Sequence, residues 1–144
     1  MREIKQLFFT FRNGIVADAL RKAGYPHKMI FGLELPRIAE MARELGPDDV
    51  LAEKLWNDRD VRESRLLAVY LMQPDNVSAD DALRLASDVR TVEEADMLSF
   101  RLFKRMKNPV CLHSSFIAAA ANADSLAVRT ALMRAADALA RHIN

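Results

Sequence analysis

The sequence predicts an all-α fold of about eight helices, arranged in antiparallel pairs that stack into an α-α superhelix. Three observations point there. Apolar residues recur at helical spacing through most of the 144-residue chain. Its four glycines and five prolines fall mostly between those periodic segments. Apolar residues make up 51% of the chain and aromatics only 7%, so Leu, Ala, Val, Ile and Met must fill a core of closely packed helices.

The first helical segment covers Arg2 to Ala23, with Gly14 as a break and Gly24-Tyr25-Pro26 as the stop. A second helix opens at Pro36, whose missing amide suits a first turn, and buries Ile38, Met41, Ala42 and Leu45 before Gly46-Pro47. The third runs from Asp48 to Trp56, with two carboxylates at the positive end of its dipole. A four-residue turn, Asn57-Asp58-Arg59-Asp60, leads into the fourth, which extends to Gln73. Asp60 suits the N-cap of that helix, and Val61, Ala68, Leu71 and Met72 its apolar face.

Ser78 caps the fifth helix, which places Ala82, Leu85, Ala86 and Val89 on one face. The sixth spans Val92 to Met106, with Ala95, Leu98, Leu102 and Met106 inward. Asn108-Pro109 breaks the chain before the small-residue helix Val110 to Ala121. The turn Asn122-Ala123-Asp124 precedes the eighth helix, lined by Val128, Ala131, Leu132, Ala135 and Leu139. At this length residues 1–144 are expected to form a single domain.

Composition narrows the function classes. Lys and Arg total 21 against 20 for Asp and Glu, so any nucleic-acid footprint must be local rather than global. The lone Cys111 excludes an internal disulfide framework and fits a reducing, cytoplasmic setting. No apolar run approaches the roughly 20 residues that span a bilayer, and the charged N-terminus does not fit a secretory signal. His27, His113 and His142 are dispersed, no zinc-ligand spacing occurs, and the glycines form no phosphate-binding loop. The expectation is therefore no cofactor, no metal and no membrane partner.

Two sets of residues carry a resemblance. Asp60-Val61-Arg62 followed by the small Ala68 resembles a HEAT-type helical repeat, with a degenerate echo at Asp124, Val128-Arg129 and Ala131. Gly32-Leu33-Glu34-Leu35-Pro36, then Leu55-Trp56-Asn57-Asp58 with Glu63 and Arg65, then Val92 to Asp96, resemble in order the motifs of the HEAT-like DNA alkylation repair family, the alkylpurine DNA glycosylases. The resemblance covers residues 31–106. It implies a protein that grips double-stranded DNA and excises cationic alkylated purines, with Asp96 as the carboxylate that stabilises the sugar as the base leaves.

This chain departs from that pattern at two places. Val92 stands where the family has a tryptophan, and Ile117, Ala118 and Ala119 stand where it has an arginine. The expected function is thus a DNA-binding relative of the glycosylases with a degraded catalytic site. A protein-interaction scaffold and an active glycosylase using Asp96 are the alternatives. Candidate DNA-binding residues are Trp56, the three-residue series Arg59, Arg62 and Arg65, and the cluster Arg101, Lys104 and Arg105, with Lys107 beside it. Each has a structural counterpart: Trp56 as a core anchor, the arginines paired with Asp60 and Glu63, Asp96 as a helix-dipole partner, and the second cluster as a solvated face.

Overall fold

The computed structural model describes residues 1–143. Among them no strand forms, and one parallel bridge links Met29 to Val61. The chain divides into two compact units, Met1–Met72 and Gln73–Asn144.

The first unit holds α1 (Arg2–Thr10), α2 (Gly14–Lys22), α3 (Leu35–Leu45), α4 (Asp49–Asn57) and α5 (Arg62–Leu71). The segment from Arg2 to Ala23 splits beside the expected break at Gly14, where Asn13 caps α2 by accepting from the Ile15 and Val16 amides at 3.0 and 3.3 Å. Asp48 caps α4 in the same way, accepting from Leu51 N–H at 3.0 Å. Gly46 follows α3 at φ 76°, a left-handed value that ends the helix. Leu45, assigned from sequence to the inner face, is exposed at that end.

α5 is packed by both α3 and α4 and has nine of its ten residues buried, so it has no solvent face in the usual sense. Its start differs from expectation. The N-cap is Val61, not Asp60, and no side chain caps it. The segment around Met29 does this work instead: Met29 N–H donates to the Asp60 carbonyl at 2.9 Å, and Arg62 N–H donates to the Met29 carbonyl at 3.2 Å. The Asp60 carboxylate lies 3.7 Å from Lys28 at the surface.

The second unit holds a short 3₁₀ turn (Pro74–Asn76), α6 (Ala79–Ser87), α7 (Val92–Arg101), a second 3₁₀ turn (Phe103–Arg105), α8 (Pro109–Ala121) and α9 (Leu126–His142). α9 packs against α6, α7 and α8 through Ala131, Leu132, Ala135, Ala136, Ala138 and Leu139. These small residues let the helix axes approach closely. α9 is capped by Ser125 rather than Asp124, its hydroxyl accepting from Val128 N–H at 3.1 Å.

The helix expected to reach Met106 ends at Arg101. Leu102 and the adjacent Phe103 are both fully buried. From Phe103 the chain turns into the tighter 3₁₀ path. That path sets the Phe103 ring edge-on to Phe116, centroids 5.2 Å apart. Met106 is left half-buried.

Ser78 and Asp81 form a reciprocal cap on α6. Asp81 N–H donates to the Ser78 hydroxyl and Ser78 N–H to the Asp81 carboxylate, each at 3.0 Å. The Ser78 amide, then its side chain, hold the Asp81 carboxyl below its ordinary 3.8, with a smaller pull from Arg84. Stability from this pair is therefore complete above that ordinary value and lost as pH falls through the lower folded one. Ser78→Ala is expected to cost about 1 kcal/mol in urea unfolding at neutral pH. The gap between variant and wild type should narrow in part as pH falls through the lowered Asp81 value, because the substitution removes only the side-chain share of the contacts to that carboxylate.

Candidate nucleic-acid interface

The sequence-predicted residues of the first unit divide between core and surface. Trp56, Arg62 and Arg65 are only 1%, 4% and 0% exposed, while Arg59 lies at the surface in the turn after α4. The three-residue spacing of the arginines was expected to form a basic stripe for phosphate. α5 is enclosed instead, and its guanidinium groups are used inside the unit.

They belong to a lock between α5 and the loop before α3. The Glu63 carboxylate, fully buried, accepts from Phe31 N–H at 3.0 Å and Gly32 N–H at 3.1 Å. Arg62 Nη1 donates to the same carboxylate at 2.7 Å and to the Leu33 carbonyl at 2.9 Å. Gly32 sits at φ 85°, and a Cβ there would lie 2.1 Å from the Asn13 carbonyl oxygen. Arg65 lies over Trp56, 3.9 Å from the ring centroid, a desolvated cation–π contact of about 2 kcal/mol. Ser64 adds a hydrogen bond to Asp58 at 2.7 Å, and Lys5 an ion pair to the same carboxylate at 3.2 Å. Gly32, Trp56, Glu63 and Arg65, the residues behind much of the family resemblance, thus build the fold of this unit.

A similar device recurs in the second unit. Glu94, 31 residues after Glu63, is buried and accepts from Arg90 N–H at 2.9 Å, while Thr91 caps α7. The pairs Val61-Arg62-Glu63 and Val92-Glu93-Glu94 are its sequence signature. Both α5 and α7 thus carry in their first turn a buried carboxylate that accepts from backbone amides, Glu63 from the loop before α3 and Glu94 from Arg90 just ahead of its own helix.

The surface residues of the second unit lie around the end of α7. Asp96, half-exposed, accepts from Arg141 Nη2 at 2.7 Å, and His142 Nε2 lies 3.8 Å from the same oxygen. Val92 is exposed near the start of that helix. Lys104 Nζ lies 3.9 Å from the centroid of the Phe100 ring, which meets the His142 ring at 5.6 Å and 61°. Arg105 and Lys107 are exposed and, with Asp75 and Asn108, line a surface cavity of about 530 Å³. Arg101 is half-buried. The structure thus brings Asp96 and Lys104 together through Phe100, Arg141 and His142. Phe100 and Arg141 were missed from sequence, since the last turn of α9 is 45 residues from Asp96 and no local spacing links them.

Among the described residues no group of three His, Cys, Asp or Glu side chains is placed to hold a metal ion. No described helix is long and apolar enough to cross a membrane.

The sequence matches no known protein family, and no curated protein matches it. A solved structure does resemble it. That protein is described as belonging to "a new family of proteins related to the HEAT-like repeat DNA glycosylases with affinity for branched DNA structures". It is 14% identical, with a TM-score of 0.75 over 93% of this chain and 55% of its own. The chain therefore spans about half the length of that protein. At this identity the likeness speaks to architecture: the chain has the HEAT-like repeat fold.

Proposed function

We propose that the chain is a DNA-binding HEAT-like repeat protein that prefers branched DNA and lacks base-excision activity. The observation that carries this reading is the fold likeness, across nearly the whole chain, to a protein with affinity for branched DNA. The exposed Arg105, Lys107 and Arg141 and the half-buried Lys104 of the second unit supply cations for phosphate, independent of the balanced total charge. Asp96 serves here as the partner of Arg141, and Val92 offers no aromatic face to a cationic base. The exposed Cys111 fits a cytoplasmic setting, where a thiol stays reduced.

Fluorescence anisotropy with a four-way junction, a duplex and a single strand tests the proposal. The junction is expected to bind tightest, with affinity falling steeply between about 50 and 200 mM salt. Joint replacement of Lys104, Arg105 and Lys107 by Ala should weaken binding and flatten that salt dependence. Arg62→Ala should instead lower the unfolding temperature. No junction binding by folded protein at low salt would overturn the proposal. Release of methylated purines from alkylated duplex would overturn its second half.

A protein-interaction scaffold is the second reading, favoured by one observation. Phe9 is 57% exposed and, with Met29 and Phe31, lines a groove of about 850 Å³ along α1. Junction binding that survives intact in Phe9→Ser would separate that groove from the DNA site.

A further inference from the structure

We propose that Phe100 is a stacking platform for an unpaired base, with Lys104 and Arg141 taking the flanking phosphates. This rests on the DNA-binding reading and names the feature of branched DNA that the second unit recognises. Phe100 is 44% exposed, a large aromatic ring at the surface of a unit whose other phenylalanines, Phe103 and Phe116, are fully buried. Its surroundings are charged and polar rather than apolar, with Lys104 and Arg141 as cations and Asp96 as a carboxylate. Lys104 Nζ lies against the ring, and His142 and Arg141 follow on the last turn of α9. An aromatic face within a positive rim is the arrangement that holds single-stranded nucleic acid, because every base has a π-face and every linkage a negative charge.

Lys104 Nζ lies over the ring face, 3.9 Å from its centroid. Its stem is flexible, so an arriving base displaces the ammonium group toward a phosphate. Asp96 works against binding, since its carboxylate repels phosphate and engages Arg141 at 2.7 Å. Asp96 is thus a brake on the site. A fully paired duplex keeps its bases stacked on one another and uses only the cations. A branch point exposes bases that can reach Phe100.

The test compares wild type, Phe100→Ala, Phe100→Trp and Asp96→Asn on a four-way junction, on a duplex and on a junction carrying a fluorescent adenine analogue at the branch. Phe100→Ala is expected to lose about tenfold in junction affinity, within the span of one base–aromatic stack, with duplex affinity unchanged. Phe100→Trp should retain junction binding and quench the analogue. Asp96→Asn should tighten binding to both DNA forms. Junction binding unaffected by Phe100→Ala, or weakened equally on duplex, overturns the stacking role while leaving DNA binding intact. Wild-type protein that binds neither DNA overturns both. Circular dichroism of each variant reports whether it folds, and the exposed position of Phe100 makes folding the expected result.

Discussion

Glu63→Ala is expected to destabilise the first unit by about 3–5 kcal/mol, the cost of breaking a buried charge pair by removing one partner. Three donors converge on this carboxylate: the Phe31 amide, the Gly32 amide and Arg62 Nη1. Without it, the Arg62 guanidinium keeps its bond to the Leu33 carbonyl but loses its counter-charge inside the unit. Both amides lose their acceptor in a place that water reaches poorly. Natural domains hold only about 5–15 kcal/mol in reserve, so this one substitution removes much of it. Urea unfolding followed by circular dichroism measures the loss. Hydrogen exchange locates it: the Phe31 and Gly32 amides should lose their protection first. Glu63→Gln keeps one acceptor and drops the charge, so its cost should be intermediate. A Glu63→Ala protein as stable as wild type would show that the lock is not needed.

The second large effect is expected at Gly32, where alanine should cost about 3 kcal/mol or more. Two causes combine. The residue sits at φ 85°, where an L side chain is strained. The new Cβ would also lie 2.1 Å from the Asn13 carbonyl oxygen and 2.8 Å from the Ala17 nitrogen. Both are backbone atoms at the start of α2, so no rotamer change can relieve the clash. Moving α2 away would also break the 2.8 Å hydrogen bond from Asn13 N–H to the Phe31 carbonyl. Gly14→Ala is the matched control: nothing lies within 4 Å of its added Cβ, and no cost is expected. Because Gly32 and Glu63 act on one loop, the double variant should lose less than the sum of the single losses.

These two sites also show what is legible in a sequence of this kind. Ser78 was readable as a cap, because an N-cap bond spans only three residues and needs no partner from elsewhere, whereas Asp48 was read as a dipole partner and caps α4 as well. The proline and glycine breaks were readable for the same local reason. Asp60 was misjudged because α5 starts where Met29 pairs with its backbone, a contact from some thirty residues upstream. The end of α7 was misjudged because apolar residues continue at helical spacing to Met106, while the chain turns into a 3₁₀ segment at Phe103. Trp56, Arg62 and Arg65 were candidates for a DNA site, yet all three are buried.

The sequence by itself determined the all-α class, most helix boundaries and the Ser78 cap, since these follow from interactions within a turn or two of chain. Only the tertiary structure decided which charges reach solvent. Arg62 and Arg65 recur at a spacing that fits an exposed stripe, but α3, α4 and the loop at residues 27–33 enclose α5 and give those guanidinium groups internal partners. Asp96 read as a catalytic carboxylate or a helix-dipole partner, and the fold of the second unit sets Arg141 against it. Burial and ion pairing depend on what other segments place nearby, and spacing along one helix carries no record of that.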